Sequence, residues 1–308
     1  MIRVLLLFSC TLLSACGGPQ PRPLPEPLQT AAAAEQRGIR AYAAGRYADA
    51  IRHFESAFNY YNRTDLRESM LRNRIYMAQS ALVINNLSQA HIALADLAEL
   101  IEYSGQYQDQ RYHLWLLQSE YTLRLKQYPQ ALNLLEQILT AADQVNQDIV
   151  TAALINRTQI AIDMETADSQ MWLDRAWAQT DSGTPQYQRL LRLKAQLLLA
   201  VDDFAGAEKL LHQALAGYRR VLFQPGIAAT LGELGRARQA QNAFADARLL
   251  FKRALNIRLE LADMRSAADL AAALESIETQ AGNTTAAAIY ADQQKKLESL
   301  ITSRNSQL

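Results

Sequence analysis

The sequence predicts an all-α protein, an array of about seven helix–turn–helix hairpins with a period near 40 residues. Three observations carry this. Gly (12) and Pro (8) are scarce in 308 residues, Ala and Leu are abundant, and no β-branched run of period two appears. A small residue recurs at Ala50, Ala90, Ala131, Ser169, Ala207, Ala247 and Ala287, in steps of 40, 41, 38, 38, 40 and 40. Four residues later comes Phe54, Leu94, Leu135, Leu173, Leu211 or Phe251, and three further on Ala57, Leu97, Ile138, Ala176, Ala214 or Ala254. These positions share one helical face. A fixed period of this size signals stacked units that bury their apolar faces only against neighbours.

The chain begins Met1-Ile2-Arg3, a minimal positive leader, followed by an apolar run at residues 4–13. That run is too short to span a bilayer as a stable helix. It ends in Leu13-Ser14-Ala15-Cys16, which resembles the lipobox of bacterial lipoproteins. The resemblance implies a signal peptide at 1–15 and a lipid-modified Cys16. Gly17 stands where Asp would favour retention in the inner membrane, which implies sorting to the outer membrane with the domain in the periplasm. Several acyl chains give near-permanent anchoring. Cys10 and Cys16 are the two cysteines of the chain, so a processed protein offers no disulfide framework and no thiolate chemistry. Residues 16–30 read as a tether: Pro19, Pro21, Pro23, Pro25 and Pro27 alternate with other residues, which predicts an extended spacer of roughly 30–40 Å.

The repeat domain is expected at 31–302, with a frayed tail at 303–308. Polar or glycine residues close each first helix, as in Gly45-Arg46, Asn85-Asn86, Lys126-Gln127 and Asn242-Ala243. An aromatic or aliphatic residue then opens the second. Residues 31–64 resemble a tetratricopeptide repeat, through Gly38, Tyr42, Gly45, Tyr47, Ala50, Phe54 and Ala57. The resemblance implies a right-handed superhelix with an inner face built mainly from first helices. Two features depart from that family. The period is near 40 rather than 34, which predicts longer helices. The unit at 150–180 holds Trp172 and Trp177 in place of the small markers. Pro129 falls in the first turn of a second helix, where a missing N–H is harmless. Pro185 and Pro225 fall between repeats. The polar run Gln293-Gln294-Lys295-Lys296 suits a terminal cap.

Nothing in the pattern argues for catalysis, a metal or a cofactor. The four histidines, His53, His91, His113 and His212, lack the i, i+4 spacing of a zinc helix. Gly232 and Gly235 sit inside a helix, not in a phosphate loop. Glu275 and Glu278 read as exposed charges. Basic and acidic residues balance at 31 each, which with the periplasmic address argues against nucleic acid.

Partner-binding candidates follow from the family's inner-face positions: Arg72, Tyr76 and Gln79; His113, Glu120 and Arg124; Arg189, Arg192 and Gln196; Arg236 and Gln239. They are mainly basic and amide side chains, suited to carboxylates and peptide backbone. Residues 219–258 hold eight basic and two acidic residues, a possible site for an acidic partner or a solvated helix surface. Ten of thirteen tyrosines precede Pro129, where they serve as repeat core or as interface residues. The functional expectation is an outer-membrane-anchored periplasmic scaffold or adaptor. It would hold a protein or peptide partner in the concave face for an envelope machine: peptidoglycan, pilus or secretion, or outer-membrane biogenesis. The alternative is an envelope hydrolase, or a regulator of one, with an unrecognised site.

Overall fold

The computed structural model describes residues 25–104 and 107–305. The signal peptide, Cys16 and most of the expected tether lie outside the described residues, as do 306–308. Fourteen α-helices follow one another among the described residues. The first four hairpins are α1 (Glu26–Ala43) with α2 (Tyr47–Asn62), α3 (Arg67–Val83) with α4 (Leu87–Ser104), α5 (Arg111–Arg124) with α6 (Tyr128–Thr140), and α7 (Gln147–Asp163) with α8 (Ser169–Ala178). The last three are α9 (Pro185–Ala200) with α10 (Phe204–Arg220), α11 (Gln224–Ala240) with α12 (Phe244–Glu260), and α13 (Met264–Gln280) with α14 (Thr284–Asn305).

Every hairpin turns by the same device. The residues at the bends, Gly45, Asn85, Lys126, Glu165, Asp202, Asn242 and Gly282, all adopt positive φ. The next N–H then reaches back to a carbonyl five residues earlier, as in Arg46 to Ala41, Asn86 to Ala81 and Asn283 to Glu278. This Schellman closure satisfies carbonyls the helix end would otherwise strand. Gly, Asn and Asp recur here because the left-handed region is least costly for them.

The spacing of small and large residues becomes a lock inside each hairpin. A Cβ on Gly38 would lie 2.6 Å from the Phe54 ring, and a Cβ on Gly235 would lie 2.6 Å from the Phe251 ring. The same sixteen-residue offset pairs Ala78 with Leu94 and Ala195 with Leu211, each pair in one buried cluster. Phenylalanine thus faces glycine and leucine faces alanine, so the summed volume is kept. The irregular fourth unit keeps a full first helix but shortens α8 to 10 residues. There Trp172 donates to Asp168 Oδ2 at 2.7 Å and lies 4.5 Å from both Arg157 and Arg175.

Three expectations are corrected. The tether does not run to residue 30, because α1 starts at Glu26. Pro25 takes the N-cap and Pro27 the first turn, where proline fits a helix start. Helix α14 continues through Ser303 to Asn305, so those residues are not frayed. Pro185 and Pro225 do not fall between repeats but inside them, at the first turns of α9 and α11. No described helix is long and apolar enough to cross a membrane.

The first helices touch one another in sequence, α3 with α5, α5 with α7, α7 with α9 and α9 with α11. The principal contacts of the second helices are with first helices. First helices therefore form the inner layer and second helices the outer one. The curl is tight enough to bring the second hairpin against the sixth and seventh. Leu261, after α12, is buried in a cluster with Ala41, Ala81 and Ile84, and Ile257 touches both this cluster and the C-terminal one.

Tyr47, which opens α2, is buried edge-on to Tyr42 at 5.5 Å. Burial, with help from Tyr42, pushes its hydroxyl up to about 12. An unfolded tyrosine titrates near 10. Between those values only the unfolded chain releases this proton, so stability falls as pH rises from about 10 to about 12. Tyr47→Phe is expected to flatten that alkaline loss in urea midpoints measured against pH.

Candidate partner-binding face

Between α3 and α5 the inner layer opens into a cleft of about 490 Å³. Arg72, Tyr76 and Gln79 reach it from one face of α3, and His113 from α5. The connection before α5 adds Tyr107 and Gln110, while Leu71 and Ile75 supply apolar wall. Three residues expected from the second repeat and one from the third thus line one cavity.

Arg72 and Tyr76 are held from behind. Arg72 Nη2 donates to Glu35 Oε2 at 3.2 Å, and the Tyr61 hydroxyl donates to the same oxygen at 2.8 Å. Burial, and then the hydrogen bond to Glu35, push the Tyr61 hydroxyl up to about 12. The bond to Glu35 also holds the Arg72 guanidinium above its usual range. Tyr76 stacks on Phe54 at 5.1 Å and meets Tyr42 at 5.8 Å. Burial lowers the His113 imidazole, so at neutral pH it offers one donor and one acceptor without charge. The cleft therefore combines apolar wall, amide and imidazole hydrogen-bonding groups, and an arginine fixed by a carboxylate.

Most of the other candidates are engaged with this chain. Arg192 donates from Nε to Glu233 Oε2 at 2.7 Å and from Nη2 to Oε1 at 2.6 Å. Gln196 Nε2 donates to the same carboxylate at 2.8 Å. Arg189 Nη2 donates to the amide oxygen of Asn156 at 3.0 Å. Arg124 Nε donates to Asn85 Oδ1 at 3.0 Å, and Nη1 lies 3.5 Å from Glu120. Burial opposes the Arg192 charge, yet Glu233 lifts it above its ordinary range. Arg189 is lowered, because burial acts on it and its hydrogen-bond partner is a neutral amide. Arg189, Arg192 and Gln196 thus tie neighbouring hairpins together through their side chains. Arg236 is exposed on α11 and Gln239 lies partly exposed on the same helix, away from the cleft.

The basic block at 219–258 does not form one surface. Arg238 pairs with Glu208, Arg248 with Glu278 and Arg258 with Asp263. Arg219, Arg220, Lys252 and Arg253 are exposed on second helices. Sequence reasoning missed Glu35, Asn156 and Glu233, which hold the inner-face residues in place. A signal existed: Arg72–Glu35, Asn156–Ser119 and Arg192–Glu233 are 37, 37 and 41 residues apart, close to one repeat. Complementary polar residues one period apart mark such ladders. On the outer side of the same join, a second cavity of about 640 Å³ lies among Leu94, Ala98, Tyr121, Pro129 and Leu134. No group of three metal-ligating side chains gathers among the described residues.

Residues 187–260, spanning most of α9 to α12, match the family described as tetratricopeptide repeat. No curated protein matches the chain. Among solved structures it is similar to a Rap protein complexed with Competence and Sporulation Factor, at 14% identity and TM-score 0.65, over 89% of this chain and 78% of that one. It is similar to the APC/C hetero-tetramer Cut9–Hcn1 at 13% identity and TM-score 0.54, over 91% of this chain and 54% of that one. Aspartyl phosphate phosphatase F from Bacillus subtilis gives 13% identity and TM-score 0.52, over 92% of this chain and 77% of that one. At these identities the likeness concerns the fold, a solenoid of paired helices.

Proposed function

We propose that this tetratricopeptide-repeat protein is a non-catalytic scaffold that captures an extended peptide segment of a partner protein in the cleft between α3 and α5. The observation that carries the reading is the convergence of Arg72, Tyr76, Gln79 and His113 on one cavity of about 490 Å³. That volume lies in the range of small-ligand and peptide-anchor sites. Amide and imidazole groups suit backbone N–H and C=O, and the apolar wall suits an uncharged side chain. The likeness to a Rap protein whose structure holds Competence and Sporulation Factor supports the reading at the level of fold. The address completes the proposal. Leu13-Ser14-Ala15-Cys16 resembles a lipobox, so Cys16 carries the acyl chains, the anchor is in the outer membrane and the domain works in the periplasm. The served machine is an envelope assembly of peptidoglycan, pilus or secretion, or outer-membrane biogenesis.

Peptides selected from a displayed library on the native protein should lose at least tenfold in affinity on Gln79→Ala with His113→Ala, and keep it on Arg236→Ala. Equal binding to the double variant would remove the cleft from the account. Cys16→Ser should abolish palmitate labelling and shift the protein out of the membrane fraction; retention of both would remove the anchor.

A further inference from the structure

We propose that Asn85 is a latch across a hinged ring, and that it sets the width of the inner cleft. Asn85 occupies the left-handed bend between α3 and α4, and its side chain joins three parts of the chain at once. Its Nδ2 donates to Asp263 Oδ1 at 3.1 Å and to Ser266 Oγ at 3.0 Å, 178 and 181 residues away. Its Oδ1 accepts from Arg124 Nε at the end of α5. Asp263 is fully buried, caps α13 through the Ser266 N–H and accepts from Arg258 Nη1 at 2.9 Å. Beside this polar knot, Leu261 is plugged into the N-terminal core. The contact centres on two turns, and a small crevice of about 20 Å³ opens beside it among Ile84, Leu87, Met264 and Ile301.

The hinge lies where the latch's own helices join the rest. The cavities of about 490 and 640 Å³ occupy the inner and outer sides of the join between the second and third hairpins. A join with open clefts on both sides bends with less loss of contact than a filled one. Helices α3 and α5 run side by side, and Asn85–Arg124 ties their C-terminal ends. The cleft opens toward their other ends, at Glu68, Arg72, Tyr107 and His113. Fixing one pair of ends fixes the angle, and the angle fixes the cleft. A ligand that fits the latched cleft therefore favours the latched ring, and the ring favours the ligand by the same factor.

The ring part of the proposal stands without any ligand; the ligand part rests on the peptide-binding reading above. Two variants test it in the full chain. Asn85→Gly removes the side chain at a bend whose φ suits glycine, and Asn85→Asp sets a carboxylate against Asp263. Both should speed amide exchange at least tenfold at 81–90 and 257–266 and leave α7 and α9 unchanged, with a larger radius of gyration in solution scattering for Asn85→Asp. Peptides selected on the native protein should bind at least tenfold more weakly to Asn85→Asp and should slow its exchange at 257–266. No change in exchange, or an equal change along the whole chain, overturns the latch. Local opening with unchanged peptide affinity overturns the coupling to the cleft. If selection yields no peptide, the exchange and scattering results still decide the latch, and only the binding reading falls.

Discussion

Replacing Glu233 by alanine is expected to lower the stability of the fold by about 3 kcal/mol, the lower end of the range for breaking a buried ion pair. Glu233 is 3% exposed. It receives both arms of Arg192 and the amide of Gln196. Its removal leaves a guanidinium in the interior with its charge unmatched, and the Arg192 side chain is only 18% exposed. That residual access to water is why the lower end applies. Glu233→Gln keeps acceptors but not charge and should lose less. Urea titration of both variants checks the order, and a loss below 1 kcal/mol for Glu233→Ala would contradict the assigned role.

Phe251→Ala should cost about 3–5 kcal/mol, because a fully buried ring leaves a cavity that the helices cannot close. The hole is specific, since α11 offers Gly235 at the ring edge. Gly235→Ala alone should cost about 1–3 kcal/mol by overpacking against the ring. The double change Gly235→Ala with Phe251→Leu reproduces the Ala195–Leu211 pairing of the preceding hairpin. It should therefore be more stable than the sum of its single changes predicts, and denaturation of the four proteins in the cycle reads that coupling directly. Strict additivity would deny that volume matching holds the hairpin.

The hairpins were legible in the sequence because the determinants are local. Small and large residues at a fixed offset, with Gly, Asn or Asp at the bend, appear within forty residues of one another. Helix α1 was misjudged at its start because alternating prolines read as a spacer, although two of them occupy the positions a helix start tolerates. Arg72, Tyr76, Gln79 and His113 could be placed on the inner face because inner-face offsets follow from helical periodicity, but their meeting in one cleft could not. The bonds from Arg189 to Asn156 and from Arg192 to Glu233 were not legible, because a free arginine and one bound one repeat away look alike in a single window. The closure at Asn85 was not legible at all. It depends on the pitch of the superhelix, which sums small rotations across every join and leaves no mark at either partner.

An open array of repeats behaves as a line: its stability is a sum of units and neighbours, and its ends can melt without consulting its middle. The bond from Asn85 to Asp263, with Leu261 seated in the first core, joins that line to itself. Shortening the chain by its last hairpin would then be felt at the second, and partial melting from the C-terminus would expose apolar surface near the start. This molecule should accordingly unfold as one body where a linear array of seven units would fray in stages.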